Sequence, residues 1–346
     1  MEIQKKRIDA LDLLKSLAIF LVIWGHVIQH CLQSNPVDEP VYRFIYSFHM
    51  PLFMVLCGLF SWNSMKMDFW GMLKKKTLTI LFPCIVWGGI IFLAVGAVYI
   101  VESKTGSLSI SLFANLVLTS YWFLNAVFIC YVIAWIGVNS KLWSPIWIVV
   151  SVILIQLFPH FNLPLMYPCF LIGMYLKKII DTESFTKLRY LFLFIYIVCF
   201  CFWTKECAGD YEQTLEAYSP FSVEFIKLLA FRGYKFIMGV SASLFLIAMI
   251  RKHLWFFNGD KSVISSFMTQ GGYYSMGIYL VQTLLLGYIL KKVISFDAMN
   301  SWLFNIVVAP LFSFIILSVI VVFIKLVNHK RRLSLLLFGT NYVSLK

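Results

Sequence analysis

The sequence predicts an all-α, polytopic membrane protein with about ten transmembrane helices and both termini in the cytoplasm. Three observations carry this. The chain is 61% hydrophobic and 18% aromatic but only 13% charged, with a mean hydropathy of +0.84, a balance foreign to soluble globular domains. Apolar runs near 20 residues recur along its length, which is what a helix needs to cross a hydrocarbon core, and they lack the period-two alternation of a membrane barrel. Finally, lysine and arginine are unevenly divided between the segments that join these runs.

Hydropathy places the spans at roughly 11–32, 43–62, 78–101, 121–138, 145–158, 165–180, 190–204, 223–250, 273–291 and 302–327, within one domain covering 1–346. Pro83, Pro145, Pro159 and Pro164 mark several boundaries. Counting basic residues in alternate connections gives 19 on the side of the N-terminus and 5 (Arg43, Lys104, Lys205, Lys291, Lys292) on the other, the pattern of an even number of spans with cytoplasmic ends. The net charge of +13 is therefore mostly topology, with some attraction to anionic lipid headgroups. It is weak evidence for nucleic acid, because the sequence shows no basic soluble domain. The eight cysteines lack metal or redox spacing and read as small apolar packing residues.

The first span has no small-residue cleavage site and is expected to be retained. It carries Lys15 and His26, eleven residues apart. That separation is about three helical turns, roughly 16 Å along the axis and nearly one face. Asp12 and His30 extend the stripe. Lys15 lies near enough to the helix start to snorkel, whereas His26 is too deep to do so. Ionisable groups inside a span are costly and usually serve a polar interior, although a membrane histidine can also be a helix–helix hydrogen-bonding residue.

In the second span His49-Met50-Pro51 interrupts an apolar run. Proline removes a backbone donor and disfavours helix before it. Such breaks persist where the freed carbonyls face protein or a cavity, so His49 either faces the interior or satisfies the break itself. Lys74, Lys75 and Lys76 precede the third span. They read first as a topological signal, and second as point charges for phosphates. Tyr121-Trp122-Phe123-Leu124-Asn125 opens the fourth span and, taken alone, suits an interfacial aromatic belt.

The loop at 205–224 is acidic, with Glu206, Asp210, Glu212, Glu216 and Glu224, and reads as a solvated loop or a rim for a substrate. Arg232 and Lys235 share one side of the eighth span, at a depth where charges line cavities or pair with acids. The ninth opens on Gly271-Gly272-Tyr273-Tyr274-Ser275-Met276-Gly277-Ile278-Tyr279-Leu280, whose small residues permit close packing, and Gln282 follows. Phosphate-loop, dinucleotide, zinc-protease and serine-elbow motifs are absent.

Taken together, Lys15-x10-His26, Phe48-His49-Met50-Pro51-Leu52-Phe53 with Cys57-Gly58, the lysine cluster before Pro83, Trp122-Phe123-Leu124 and Tyr274-Ser275-Met276-Gly277-Ile278-Tyr279-Leu280 resemble, in order, the motifs of the acyltransferase-3 family of bacterial integral-membrane acyltransferases. The chain departs from that pattern in having lysine where arginine is common, Cys57 for serine, and Gln282 where histidine often follows.

The resemblance implies transfer of an acyl group, usually acetyl, from cytoplasmic acyl-CoA to a hydroxyl of a glycan or glycolipid. The enzyme would sit in the bacterial inner membrane among lipids, with acetyl-CoA as co-substrate and no metal. It further implies His26 as the catalytic base or transient acyl carrier, aligned with Lys15 and Asp12. Lys74, Lys75 and Lys76 would bind the donor, and His49, Trp122 and Tyr279 would support or line the cavity, to which the depth of Arg232 and Lys235 in their span adds those two residues. Two alternatives are a transporter or lipid-glycan flippase, which also needs membrane charges and broken helices, and a membrane sensor with a decayed site.

The topology is open to direct test. In a cysteine-free background, single cysteines at positions 35 and 210 should react with an impermeant thiol reagent added outside intact cells. Protection of both would invert the orientation.

Overall fold

The computed structural model describes residues 2–32, 34–101, 109–139, 145–208, 222–252, 269–297 and 299–340. Asp210, Glu212 and Glu216 of the acidic loop lie outside them. Every regular element among the described residues is helical. Among the described residues, seven stretches are long and apolar enough to cross a membrane: Leu11–Cys31, Pro40–Leu59, Phe69–Ala97, Trp122–Asn139, Val223–Lys252, Ser275–Val293 and Ser301–Asn328. The fifth to seventh predicted spans are the shorter helices Pro145–Ile155, Leu163–Ile179 and Arg189–Cys201. The first two of these form a hairpin, turned by Phe161 and Asn162 in the left-handed region (φ 57° and 53°).

Two predicted spans are broken helices. In the second, Pro40–Tyr46 and His49–Leu59 meet at Ser47-Phe48. The break is held by side chains: His49 Nδ1 bonds the Ile45 carbonyl at 2.8 Å, Ser47 Oγ donates to the Phe44 carbonyl at 2.7 Å, and Trp203 Nε1 donates to the Arg43 carbonyl. The fourth is longer than the hydropathy pattern indicates, because a separate helix, Ile110–Ser120, precedes Trp122–Asn139. Tyr121 interrupts the pair, and Asn125 Nδ2 donates to the freed carbonyls of Val117 and Leu118. Backbone polar groups inside a membrane protein need such partners, because lipid offers none. Tyr121 is fully buried and Trp122 half-buried, so the aromatic run sits inside the protein and not in an interfacial belt.

Small residues set the helix spacing. Gly271 lies against Ser16, and Gly272 against the Asp12 carbonyl. Further along, Gln282 bonds His26, and Phe296 N–H donates to the Cys31 carbonyl. The first helix and the 269–293 segment therefore run parallel and in contact from one end to the other. A second close crossing joins His49–Leu59 to Leu163–Ile179: a methyl on Gly58 would overlap the Phe170 carbonyl, and one on Gly173 the Val55 carbonyl. Small-residue crossings of this kind are how membrane helices gain packing where lipid supplies little hydrophobic drive. All eight cysteines are free, and four of them (Cys31, Cys84, Cys130, Cys169) are buried in this packing.

Three π-helical turns, Thr77–Leu81, Leu285–Leu290 and Phe304–Val308, interrupt otherwise α-helical spans. Such turns often mark functional positions.

The crossing at Gly58 yields a stability prediction. Gly58→Ala should destabilise the detergent-solubilised protein by about 1–3 kcal/mol, the usual cost of overpacking. Gly233→Ala, whose new methyl would meet nothing within 4 Å, should leave the melting temperature unchanged or raise it slightly, since alanine favours a helix interior over glycine. Equal melting of the two variants would show that the crossing does not limit stability.

Candidate active site

Two cavities open between the first, second, fourth and ninth spans and share three lining residues: Val22, Met50 and Tyr279. The first, about 230 Å³, is mainly apolar, lined by Phe53, Cys57, Ile80, Phe123, Leu124 and Val127, with Lys76, Thr79, Tyr131 and Ser275 as its polar groups. The second, about 350 Å³, is far more polar than the first, and collects His26, His30, His49, Trp122, Tyr288 and Lys291 among others. Tyr279 stands between them, buried and packed edge-on to Tyr121 and Phe123.

His26 is the best-defined group in the second cavity. Its Nδ1 lies 2.8 Å from Gln282 Oε1. The amide orientation is fixed, because Gln282 Nε2 donates to the Tyr279 carbonyl (3.3 Å) and to Thr283 Oγ1 (3.1 Å), whose own hydroxyl donates to that same carbonyl. An amide oxygen only accepts, so Nδ1 of a neutral His26 carries the hydrogen and Nε2 keeps the lone pair. Gln282 thus supplies the acceptor that assigns the tautomer. His30 lies one turn on, its ring 5.7 Å from that of His26.

His49 does two things at once. It bonds the Ile45 carbonyl at the break and lines the same cavity, 4.6 Å from the Tyr46 ring.

The remaining predicted residues separate. Lys15 and Asp12 form an ion pair at 2.9 Å, with the ammonium 4.0 Å from the Phe60 ring centroid, and neither lines the two cavities. Of the lysine cluster, Lys74 and Lys75 are exposed, while Lys76 turns inward. Its Nζ sits 3.6 Å over the Tyr131 ring, in the first cavity. Lys76 ends the helix Phe69–Lys76, and the π turn that follows brings Thr79 and Ile80 to the same cavity.

Arg232 is almost wholly buried at 3% exposure. It donates to the Gln156 carbonyl at 3.0 Å and lines a third, apolar cavity with Leu157, Pro168 and Phe236. Lys235 lies 5.4 Å from the Phe231 ring and lines none of the three. Among the described residues no group of three or more His, Cys, Asp or Glu could hold a metal ion.

Lys291, Tyr288 and Gln29 were not candidates in the sequence. Lys291 reads there as one of a few basic residues at a span end, and only the parallel run of the first and ninth spans brings it to the histidines. Its one sequence signal is that it stands on the side where basic residues are scarce.

Comparison with known proteins adds a family. Residues 8–327 match the model of a family described as an acyltransferase domain (acyltransferase-3). Among curated proteins the chain is similar to the nodulation protein NolL of Sinorhizobium fredii, 29% identical over 204 residues, which is 55% of this chain and 56% of that protein. It is also similar to the nodulation protein NolL of Mesorhizobium japonicum, 27% identical over 211 residues, or 56% of each. The chain thus aligns with only about half the length of these curated relatives. No solved structure matches it. With the match reaching from the first span through the last, the chain belongs to the acyltransferase-3 family.

Proposed function

We propose that this protein is a membrane O-acyltransferase, moving an acyl group, acetyl as the usual case, from cytoplasmic acyl-CoA to a hydroxyl of a glycan or lipid-linked saccharide, in the inner membrane of a bacterium. The observation that carries this is the pair of cavities meeting at Val22, Met50 and Tyr279, apolar with one lysine on one side and polar with His26 on the other. Family membership supports the reaction class.

In this reading the donor's phosphates lie near Lys76, which acts as a point charge, and the thioester arm follows the apolar cavity toward Tyr279. The acceptor enters the second cavity. His26 Nε2 takes the proton of its hydroxyl, and the oxygen attacks the thioester carbonyl carbon. A C–O bond forms, the C–S bond breaks, and the imidazolium returns the proton to the departing thiolate. Gln282 is a positioning residue: it holds Nδ1–H so that Nε2 faces the reactants. His49 has its Nδ1 committed to the helix break. The Lys15–Asp12 pair lies within the first helix and outside both cavities, which leaves Lys76 as the cation that faces the donor side.

Two experiments test this with purified protein, labelled acetyl-CoA and a lipid-linked or polymeric glycan. His26→Ala should keep membrane insertion and donor binding but lose transfer by about 100- to 10,000-fold, the worth of a well-placed general base. Gln282→Leu should lower kcat with KM for acetyl-CoA unchanged, whereas Gln282→Glu, which keeps an accepting oxygen, should retain more activity. Wild-type rates in His26→Ala would overturn the mechanism. Movement of the glycan without acyl transfer would favour a flippase.

For the donor, Lys76→Met should weaken acetyl-CoA binding at low salt more than Lys74→Met and Lys75→Met together, because only Lys76 faces the cavity. A larger effect from the exposed pair would move the phosphate site to the protein surface.

A further inference from the structure

The second cavity has a charge character that the acyl-transfer chemistry does not require. Its lining holds three histidines (His26, His30, His49) and Lys291, and no aspartate or glutamate among the described residues. Its other polar groups are Gln29, Tyr46, Thr119, Ser120, Thr283 and Tyr288, with Trp122 as an aromatic wall. A saccharide site with a neutral ligand ordinarily uses carboxylates to accept from sugar hydroxyls, since a carboxylate is acceptor-only and strong. Here that group is missing, and the one permanently charged side chain is a cation.

The placement of Lys291 is specific. The π turn Leu285–Leu290 ends directly before it, and Gly287, Tyr288 and Lys291 all reach the cavity. The ammonium lies 5.4 Å from the Tyr288 ring, and the Tyr288 hydroxyl bonds Ser120 Oγ at 2.8 Å. Ser120 in turn ends the helix that precedes the break at Tyr121. Two irregular elements, a π turn and a broken helix, therefore converge on one corner of the cavity. Gly287 leaves that corner open, since a methyl built there meets nothing within 4 Å.

We propose that the second cavity is a subsite for an anionic saccharide acceptor, whose oxyanion is held at Lys291, with Tyr288 and Trp122 as the walls beside the sugar. This rests on the acyltransferase reading for the word acceptor, but the binding claim stands apart from turnover. The shared ligand chemistry is a sugar bearing a negatively charged oxygen group, either the carboxylate of a uronic acid or the phosphate of a phosphate-linked sugar. Lys291 is exposed at the edge of the cavity, so one such pair adds a modest amount of the kind measured for accessible ion pairs, and no carboxylate among the described lining residues competes for the cation.

Equilibrium binding to the detergent-solubilised full chain tests this, read by titration calorimetry. Three probes are compared: a glucuronic acid-containing oligosaccharide, the same oligosaccharide with each carboxylate replaced by a hydroxymethyl, and a hexose 1-phosphate. The expected result is at least fivefold tighter binding of one anionic probe than of the neutral one. Which anionic probe wins distinguishes a uronic acid from a phosphate.

Lys291→Gln should remove most of that preference, Lys291→Arg should keep it, and acetyl-CoA binding should change in neither. Gly287→Leu should weaken all saccharide binding by filling the open corner. No preference for charge in the wild type, or a preference that survives Lys291→Gln, overturns the proposal. If the wild type binds the anionic probe with the expected preference yet acetylates no acceptor, the failure belongs to the acyltransferase reading and not to this subsite.

Discussion

The arrangement depends on the first helix and the ninth span lying in contact along their whole length. Gly271 and Gly272 make this possible at one end by letting backbone meet Ser16 and the Asp12 carbonyl. The Phe296 N–H bond to the Cys31 carbonyl closes the other end. Between these anchors the two helices keep a fixed register, and it is this register that sets Gln282 opposite His26 and Lys291 near His30. A shift of one residue along either helix would turn the facing side chains by about 100° and separate them. The site is thus built from helix packing, on rigid elements and not on loops.

Irregular backbone does the rest. The breaks at Ser47-Phe48 and Tyr121, and the π turns at Thr77–Leu81 and Leu285–Leu290, each bring side chains to a cavity that a regular helix would point elsewhere. Each break also carries its own remedy. Asn125 bonds the carbonyls freed before Tyr121, and His49 that of Ile45. The polar residues of these spans therefore divide between those that repair the backbone and those that face the cavities, and His49 belongs to both groups.

Much of this was legible in the sequence. The eleven-residue spacing from Lys15 to His26, the Met-Pro step after His49 and the double glycine at 271–272 each announce a helix face, a break and a close contact by local rules. What was hidden depended on contacts far apart in the chain. Lys74, Lys75 and Lys76 are chemically alike, and only the packing of the helix Phe69–Lys76 beside Tyr131 shows that Lys76 alone points inward. Gln282 reads as a lost histidine until Tyr279 and Thr283 show which way its amide faces. The helix Ile110–Ser120 escaped the hydropathy pattern because it is short and separated from its continuation by one turn residue.

The narrow place between the cavities has a consequence for the cell. On the proposed reading, a path that takes a ligand from each side of a bilayer is also a route along which protons and ions could run down their gradients. Here the division falls to Val22, Met50 and Tyr279, two of them apolar and the third largely so. Apolar constrictions exclude water by dewetting, and methionine, with its unbranched and adaptable chain, conforms to whatever lies beside it. On that reading the division rests on three side chains, so a change of rotamer is enough to admit a substrate without any helix having to shift.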